Sequence, residues 1–174
     1  MLPPLALSVR QPWAWAIVAG HKPIENRTLG AIRSGGMDLR RIALHAAAGM
    51  TKKEYKWAQW RMAQVGVAVP RPEDLPRSAI IGAVTVTDIV FESESPWFGG
   101  PCGLVLEAAT SCEPIPASGA LGYFEWQPGG SLAKPAPWML RYDRPSGDAE
   151  TADLFGDVLS FQTPPAKPFG VKKR

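Results

Sequence analysis

Pro12 and Gly20 bracket an apolar run and leave the chain few ways to fold between them. Proline has no N–H to leave unpaired at the first position of a helix, and glycine takes up the positive φ needed just past its end. Pro12 to Ala19 is therefore expected to be a two-turn helix. Ahead of it Leu5, Leu7 and Val9 alternate with Ala6, Ser8 and Arg10; behind it Pro23 to Arg27 is short, extended and polar at its end. Each reads as a strand. A strand, a tight helix and a strand bring the two ends of the segment together and gather Arg10, Gln11, Lys22, Glu25 and Arg27 around one helix.

These residue types define what such a cluster can do. Lys22 is a point cation, Glu25 can accept or relay a proton, and Arg10 and Arg27 can hold a phosphate bidentately. On a regular strand Lys22 and Glu25 would face opposite sides, but Lys22 lies at the turn and Pro23 alters the path, so a pair is open to them. The choice is between a nucleotide pocket and a salt-bridge network that pins the first helix.

Farther on, Gly30 to Gly36 reads as a loop and Arg41 to Ala47 as a strand with His45 on the face opposite Leu44. Thr51 with Glu54 is a capping-box pair opening a second helix, Thr51 to Val65, whose core stripe is Tyr55, Ala58, Met62 and Val65. Trp57 and Trp60 fall off that stripe among lysines. They either stack on bases or pack under the loop of residues 66–78. Ile80 to Glu92 is expected as a long central strand, with shorter ones at Leu104 to Leu106 and Leu121 to Trp126. Between them Ser95 to Pro101 is an aromatic, glycine-bearing loop in which Trp97 either walls a planar ligand or plugs the end of the fold.

At 174 residues with 45% hydrophobic and 20% charged residues, the chain suits one domain. The expected division is residues 1–145 for that domain and 146–174 for a C-terminal extension with a proline-rich basic tail. Arg10 and Pro12 interrupt the apolar N-terminus, and no run approaches the ~20 apolar residues of a membrane span, so a soluble cytoplasmic protein with no membrane partner is expected. Cys102 and Cys112, placed in different strands or turns, lack metal or redox spacing. With two histidines in the chain, neither a metal nor a cofactor is expected. Charge divides along the chain: residues 1–80 carry +7, residues 81–163 carry −8 and residues 164–174 carry +4. A basic face toward phosphates is one reading, ordinary solvated charge the other.

The segment SVRQPWAWAIVAGHKPIENRT (Ser8 to Thr28) resembles the opening motif of the ASCH domain family, a Gln-Pro-Trp helix followed by Gly-x-Lys and Glu-x-Arg. The likeness continues at Arg41 to Ala47, Ala79 to Val90 and Ser95 to Trp126, and covers residues 5–126. It implies an α+β fold: a PUA-like mixed β-barrel with a short N-terminal helix and a second helix packed on the barrel. In that barrel the strand of His45 would lie beside the strand of Glu25 and Arg27, so His45 either reaches their pocket or is satisfied by a backbone carbonyl. The family implies binding of RNA, single-stranded nucleic acid or a modified nucleoside in a cleft between the first helix and the barrel. Gln11 and Trp13 would shape that cleft, Lys22 and Arg27 would meet phosphate or a base edge, and Glu25 would accept a base amino proton.

Some family members are hydrolases of N4-acylated cytidine, and ribonuclease activity is attributed to others. In the hydrolases a Gly-x-Lys-x-x-Thr segment lets the Lys activate the Thr. Lys22 matches the Lys, but Glu25 stands in the place of the Thr and removes that nucleophile. As an enzyme, this chain would have Lys22 and Glu25 activate water. A third class, a protein-interaction adaptor, would use the tail or Thr151 to Phe155, which weakly resembles a sliding-clamp binding peptide.

Overall fold

The computed structural model describes residues 1–142, which form one unit, Met1–Tyr142. The expected clamp peptide, the tail and the boundary at residue 145 lie outside the described residues. The chain opens with strand β1 (Leu5–Val9) and helix α1 (Trp13–Val18). Pro12 is the N-cap of α1 and not its first helical residue. The Gln11 side chain does the capping, because its amide oxygen accepts the Trp15 N–H at 2.9 Å. At the other end Gly20 has φ +79. The Gly20 N–H donates to the Ile17 carbonyl at 2.9 Å and the His21 N–H to that of Ala16 at 2.9 Å. That pair of bonds closes the helix and sets the direction in which the chain leaves for Lys22.

Strand β2 (Ile24–Arg27) follows, then a helix where a loop was expected, α2 (Leu29–Ser34). The missed signal is Thr28, whose hydroxyl accepts the Ala31 N–H at 3.1 Å and caps α2. Next come β3 (Arg41–Ala46), α3 (Lys52–Ala63), β4 (Ala79–Val90), β5 (Cys102–Pro116), β6 (Tyr123–Glu125) and a single turn, α4 (Pro137–Leu140). Strand β5 is far longer than the expected Leu104 to Leu106, which lies near its start. Cys102 and Cys112 both belong to it, one buried, one half-buried, and both are free thiols.

The six strands form one mixed sheet in the order β2-β5-β4-β3-β1-β6, antiparallel except for β1 beside β3. Strand β2 pairs with β5 alone, so β3 does not lie beside it as the family resemblance implied. The sheet nevertheless curls. Arg27 at the β2 edge donates Nη2–H to the Ser8 carbonyl of β1 at 3.0 Å, joining strands four places apart in the order. The result is an α+β half-barrel closed on that side by a side chain instead of a ladder.

Strand alternation decides what each face carries. Leu7 and Val9 of β1 and Ile42 and Leu44 of β3 are buried with Ala14 and Ile17 of α1 in the main core. Ala6 and Ala43 face the other way, into a smaller cluster with Ile80 and Ala117. Ser8 and His45 share that second side. Tyr55, Ala58 and Met62 of α3 are buried as expected, packed with Ala16, Leu75, Met139 and Tyr142, whereas Val65, the fourth residue of the expected stripe, lies past the end of α3 and is half-buried. The Thr51–Glu54 capping box is complete, with the Thr51 N–H donating to the Glu54 carboxylate at 2.7 Å.

Candidate functional site

The Lys22–Glu25–Arg27 cluster is an ion-pair chain. The Lys22 ammonium lies 2.7 Å from Glu25 Oε2, Arg27 Nη2 lies 3.2 Å from Glu25 Oε1, and the Lys22 side chain is only 4% exposed. Lys22 also donates to the Ile24 carbonyl and sits 6.0 Å from the centre of the Trp13 ring. Strand parity does not separate Lys22 from Glu25, because β2 starts at Ile24. Glu25 and Arg27, two apart on the strand, share a face.

This chain of charges touches two cavities. One, about 340 Å³, is lined by Trp13, Lys22, Glu25, Asn26, Trp57 and Trp97, with Arg61 and Phe98 at its wall. The Trp13 and Trp57 rings meet edge to face with centroids 5.3 Å apart, and Trp57 remains 44% exposed. Trp97 is held in place by Asn26, which sequence reading did not single out. The Asn26 amide donates to the Trp97 carbonyl at 2.9 Å and accepts the Gly99 N–H at 2.8 Å. An asparagine between two charged residues on a short polar strand carries no local sign of a partner more than 70 residues away.

The second cavity, about 650 Å³, is lined by Ser8, Arg10, Arg27, His45 and the glycine- and serine-rich backbone of residues 117–122 and 129–131. Arg10 is half-exposed and pairs with Glu54 at 2.7 Å, so the cap of α3 also anchors this arginine. His45 is 2% exposed; its Nε2 lies 3.0 Å from the Ala117 carbonyl and its Nδ1 2.8 Å from Ser8 Oγ. A carbonyl can only accept, so Nε2 carries the proton and Nδ1 accepts from the Ser8 hydroxyl. Burial lowers the His45 pKa, the Ala117 carbonyl partly opposing it.

The structure thus divides the expected site residues. Trp13, Lys22, Glu25 and Trp97 line the smaller cavity; Arg10, Arg27 and His45 line the larger. Gln11 lines neither: it is 1% exposed, caps α1 and donates Nε2–H to the Pro76 carbonyl at 2.8 Å. Trp57, weighed as a base-stacking residue, joins the smaller cavity and meets Trp13 there. Among the described residues no group of three His, Cys, Asp or Glu gathers that could hold a metal ion. None of their helices is long and apolar enough to cross a membrane.

No family model and no curated protein matches the chain. Among solved structures it is similar to the ASCH protein from Zymomonas mobilis. A tyrosine-to-phenylalanine mutant of that protein is 18% identical, with a TM-score of 0.36 over 79% of this chain and 93% of that one. A serine-to-alanine mutant is 17% identical, with a TM-score of 0.35 over 79% and 91%. The unmutated protein is 16% identical, with a TM-score of 0.33 over 79% and 90%. The roles of individual residues come from the geometry of this chain alone.

Proposed function

We propose that this chain is a nucleic-acid or modified-nucleotide binding protein that holds one base in the tryptophan-lined cavity. The observation that carries this reading is the convergence of Trp13, Trp57 and Trp97 on the Lys22–Glu25 pair in a space of about 340 Å³. That volume falls within the ~300–1,000 Å³ of small-ligand sites. Aromatic faces stack on bases of any sequence, while an ammonium and a carboxylate side by side offer a donor and an acceptor to a base edge. Arg61, on the same wall, is suited to a flanking phosphate. The ligand class is RNA, single-stranded DNA or a nucleoside carrying a modification.

Titration with these three ligands while following tryptophan fluorescence tests the reading. Saturable quenching by at least one is expected, weakened about tenfold or more in Trp57→Ala, in line with the ~1–3 kcal/mol of one base–aromatic stack. A flat response to all three, with no nucleoside retained by the purified protein in mass spectrometry, would overturn it.

A second reading shares the cavity. The Lys22–Glu25 contact at 2.7 Å on the cavity wall favours hydrolysis of RNA or of N4-acylated cytidine, with the pair activating water. Product release that stops in Glu25→Gln supports it; intact substrate after long incubation with bound protein leaves a binding module.

A further inference from the structure

The larger cavity contains a constellation that base binding does not use. Ser8 on β1 and His45 on β3 are register partners across the parallel pair of strands, so their side chains meet on one face. The Ser8 hydroxyl donates to His45 Nδ1 at 2.8 Å, while His45 Nε2–H is fixed by the Ala117 carbonyl at 3.0 Å. Hydroxyl, imidazole and an orienting acceptor in series form the arrangement that activates a serine. The base is buried and Ser8 only partly so, and Ser8 lines the cavity.

Gly119 shows how closely the surrounding loop fits this pair. A Cβ at that position would lie 2.5 Å from His45 Cε1 and 3.0 Å from Ser8 Oγ. Only glycine lets the loop approach without displacing the imidazole or covering the hydroxyl. On the cavity wall stand Arg10 and Arg27, each backed by a carboxylate, Glu54 or Glu25. Arg27 uses Nη2 for the Ser8 carbonyl and Glu25, and its Nε has no hydrogen-bond partner among the described residues. Two guanidiniums facing a cavity of about 650 Å³ suit a phosphate.

We propose that Ser8 is a nucleophile activated by His45, in a second site that accepts acyl compounds bearing a phosphate group held by Arg10 and Arg27. In the first step Ser8 Oγ bonds to the acyl carbon and its proton passes to His45 Nδ1. The bond from that carbon to the leaving oxygen or nitrogen breaks, and the leaving group takes the proton from Nδ1. Water then repeats the sequence on the Ser8 ester, releasing the carboxylic acid and restoring the hydroxyl. Of the tryptophan cavity only Glu25 is shared, as the carboxylate behind Arg27; Ser8, His45 and Arg10 lie outside it, so Ser8 labelling and base binding are tested separately.

The test is labelling of the full chain with a fluorophosphonate probe, located by mass spectrometry. The label is expected on Ser8, absent in Ser8→Ala, slowed about 100-fold or more in His45→Gln, and slowed by excess inorganic phosphate in the unaltered chain. A label confined to other serines, or Ser8 labelling at an equal rate in a folded His45→Gln, overturns the proposal. Should His45→Gln fail to fold, Ser8→Cys gives the answer through iodoacetamide: the thiol introduced at position 8 is expected to react about tenfold or more faster than that of Cys112, since thiolate formation governs the rate. Equal rates overturn the activation by His45. A phosphorylated aryl ester is expected to be cleaved faster than its uncharged analogue, a preference lost in Arg27→Gln; its absence in the unaltered chain removes the arginines from the site.

Discussion

The two cavities on either side of Glu25 are built in opposite ways. The tryptophan-lined one draws its walls from a helix end, the face of α3 and an aromatic loop, held together by side chains: the Lys22–Glu25 pair, the Trp13–Trp57 contact and the two hydrogen bonds of Asn26. The arginine-lined one rests on adjacent strands whose register is set by backbone ladders, with a glycine- and serine-rich loop over them. Perturbing the first should shift ligand affinity; perturbing the second should touch the sheet itself. Glu25 is the hinge of the comparison, since one of its oxygens serves Lys22 and the other Arg27.

The largest effect should come from breaking the charge chain. Lys22→Met leaves Glu25 buried beside Arg27 without its closer partner, and a loss of about 3 kcal/mol in urea unfolding is expected. Lys22→Met with Glu25→Leu should recover part of that loss, because it also removes the buried carboxylate, while Arg27, its side chain 24% exposed, keeps the Ser8 carbonyl and solvent. If the double variant is no more stable than the single, the pair does not act as a unit. Next is Trp57→Ala, for which the tenfold loss of nucleic-acid affinity should come without loss of Ser8 labelling. An equal loss of both would mean that the cavities are coupled.

Asn26→Ala should cost about 1–2 kcal/mol, from two lost hydrogen bonds to the Trp97–Gly99 loop, and should weaken base binding with the arginine cavity unaffected. His45 adds a pH dependence to the second cavity alone. Burial lowers its pKa in the folded chain, so the unfolded chain binds more protons at mildly acid pH. Its contribution to stability is full above about 6.5, the unfolded value, and is lost as the pH falls from there through the lowered folded value. Urea midpoints from pH 8 to pH 5 should show that loss, and it should be absent in a folded His45→Gln. The smallest effect is expected for Arg10→Ala: its pair with Glu54 is exposed on both sides, and a change below about 1 kcal/mol is expected.

Much of the frame was legible because its signals are local. Gly20 at the end of α1, the Thr51–Glu54 box and the stripe of Tyr55, Ala58 and Met62 are decided within one or two turns of chain. Helix α2 was hidden by its glycines, although Thr28 supplied its cap. Pro12 was misplaced by one position because the cap came from the side chain of Gln11, a residue read as part of a pocket.

What the amino-acid order determined by itself was the inventory and its spacing: a short capped helix, two flanking strands, and Lys22, Glu25 and Arg27 within six residues. Tertiary structure alone decided which of these residues share a cavity. Arg27 reaches Ser8 because the sheet curls, His45 meets Ser8 because β1 and β3 run parallel in a particular register, and Trp57 meets Trp13 because α3 packs beside α1. Each is a contact between residues distant in sequence, set by strand order and helix packing, and no short-range pattern encodes it.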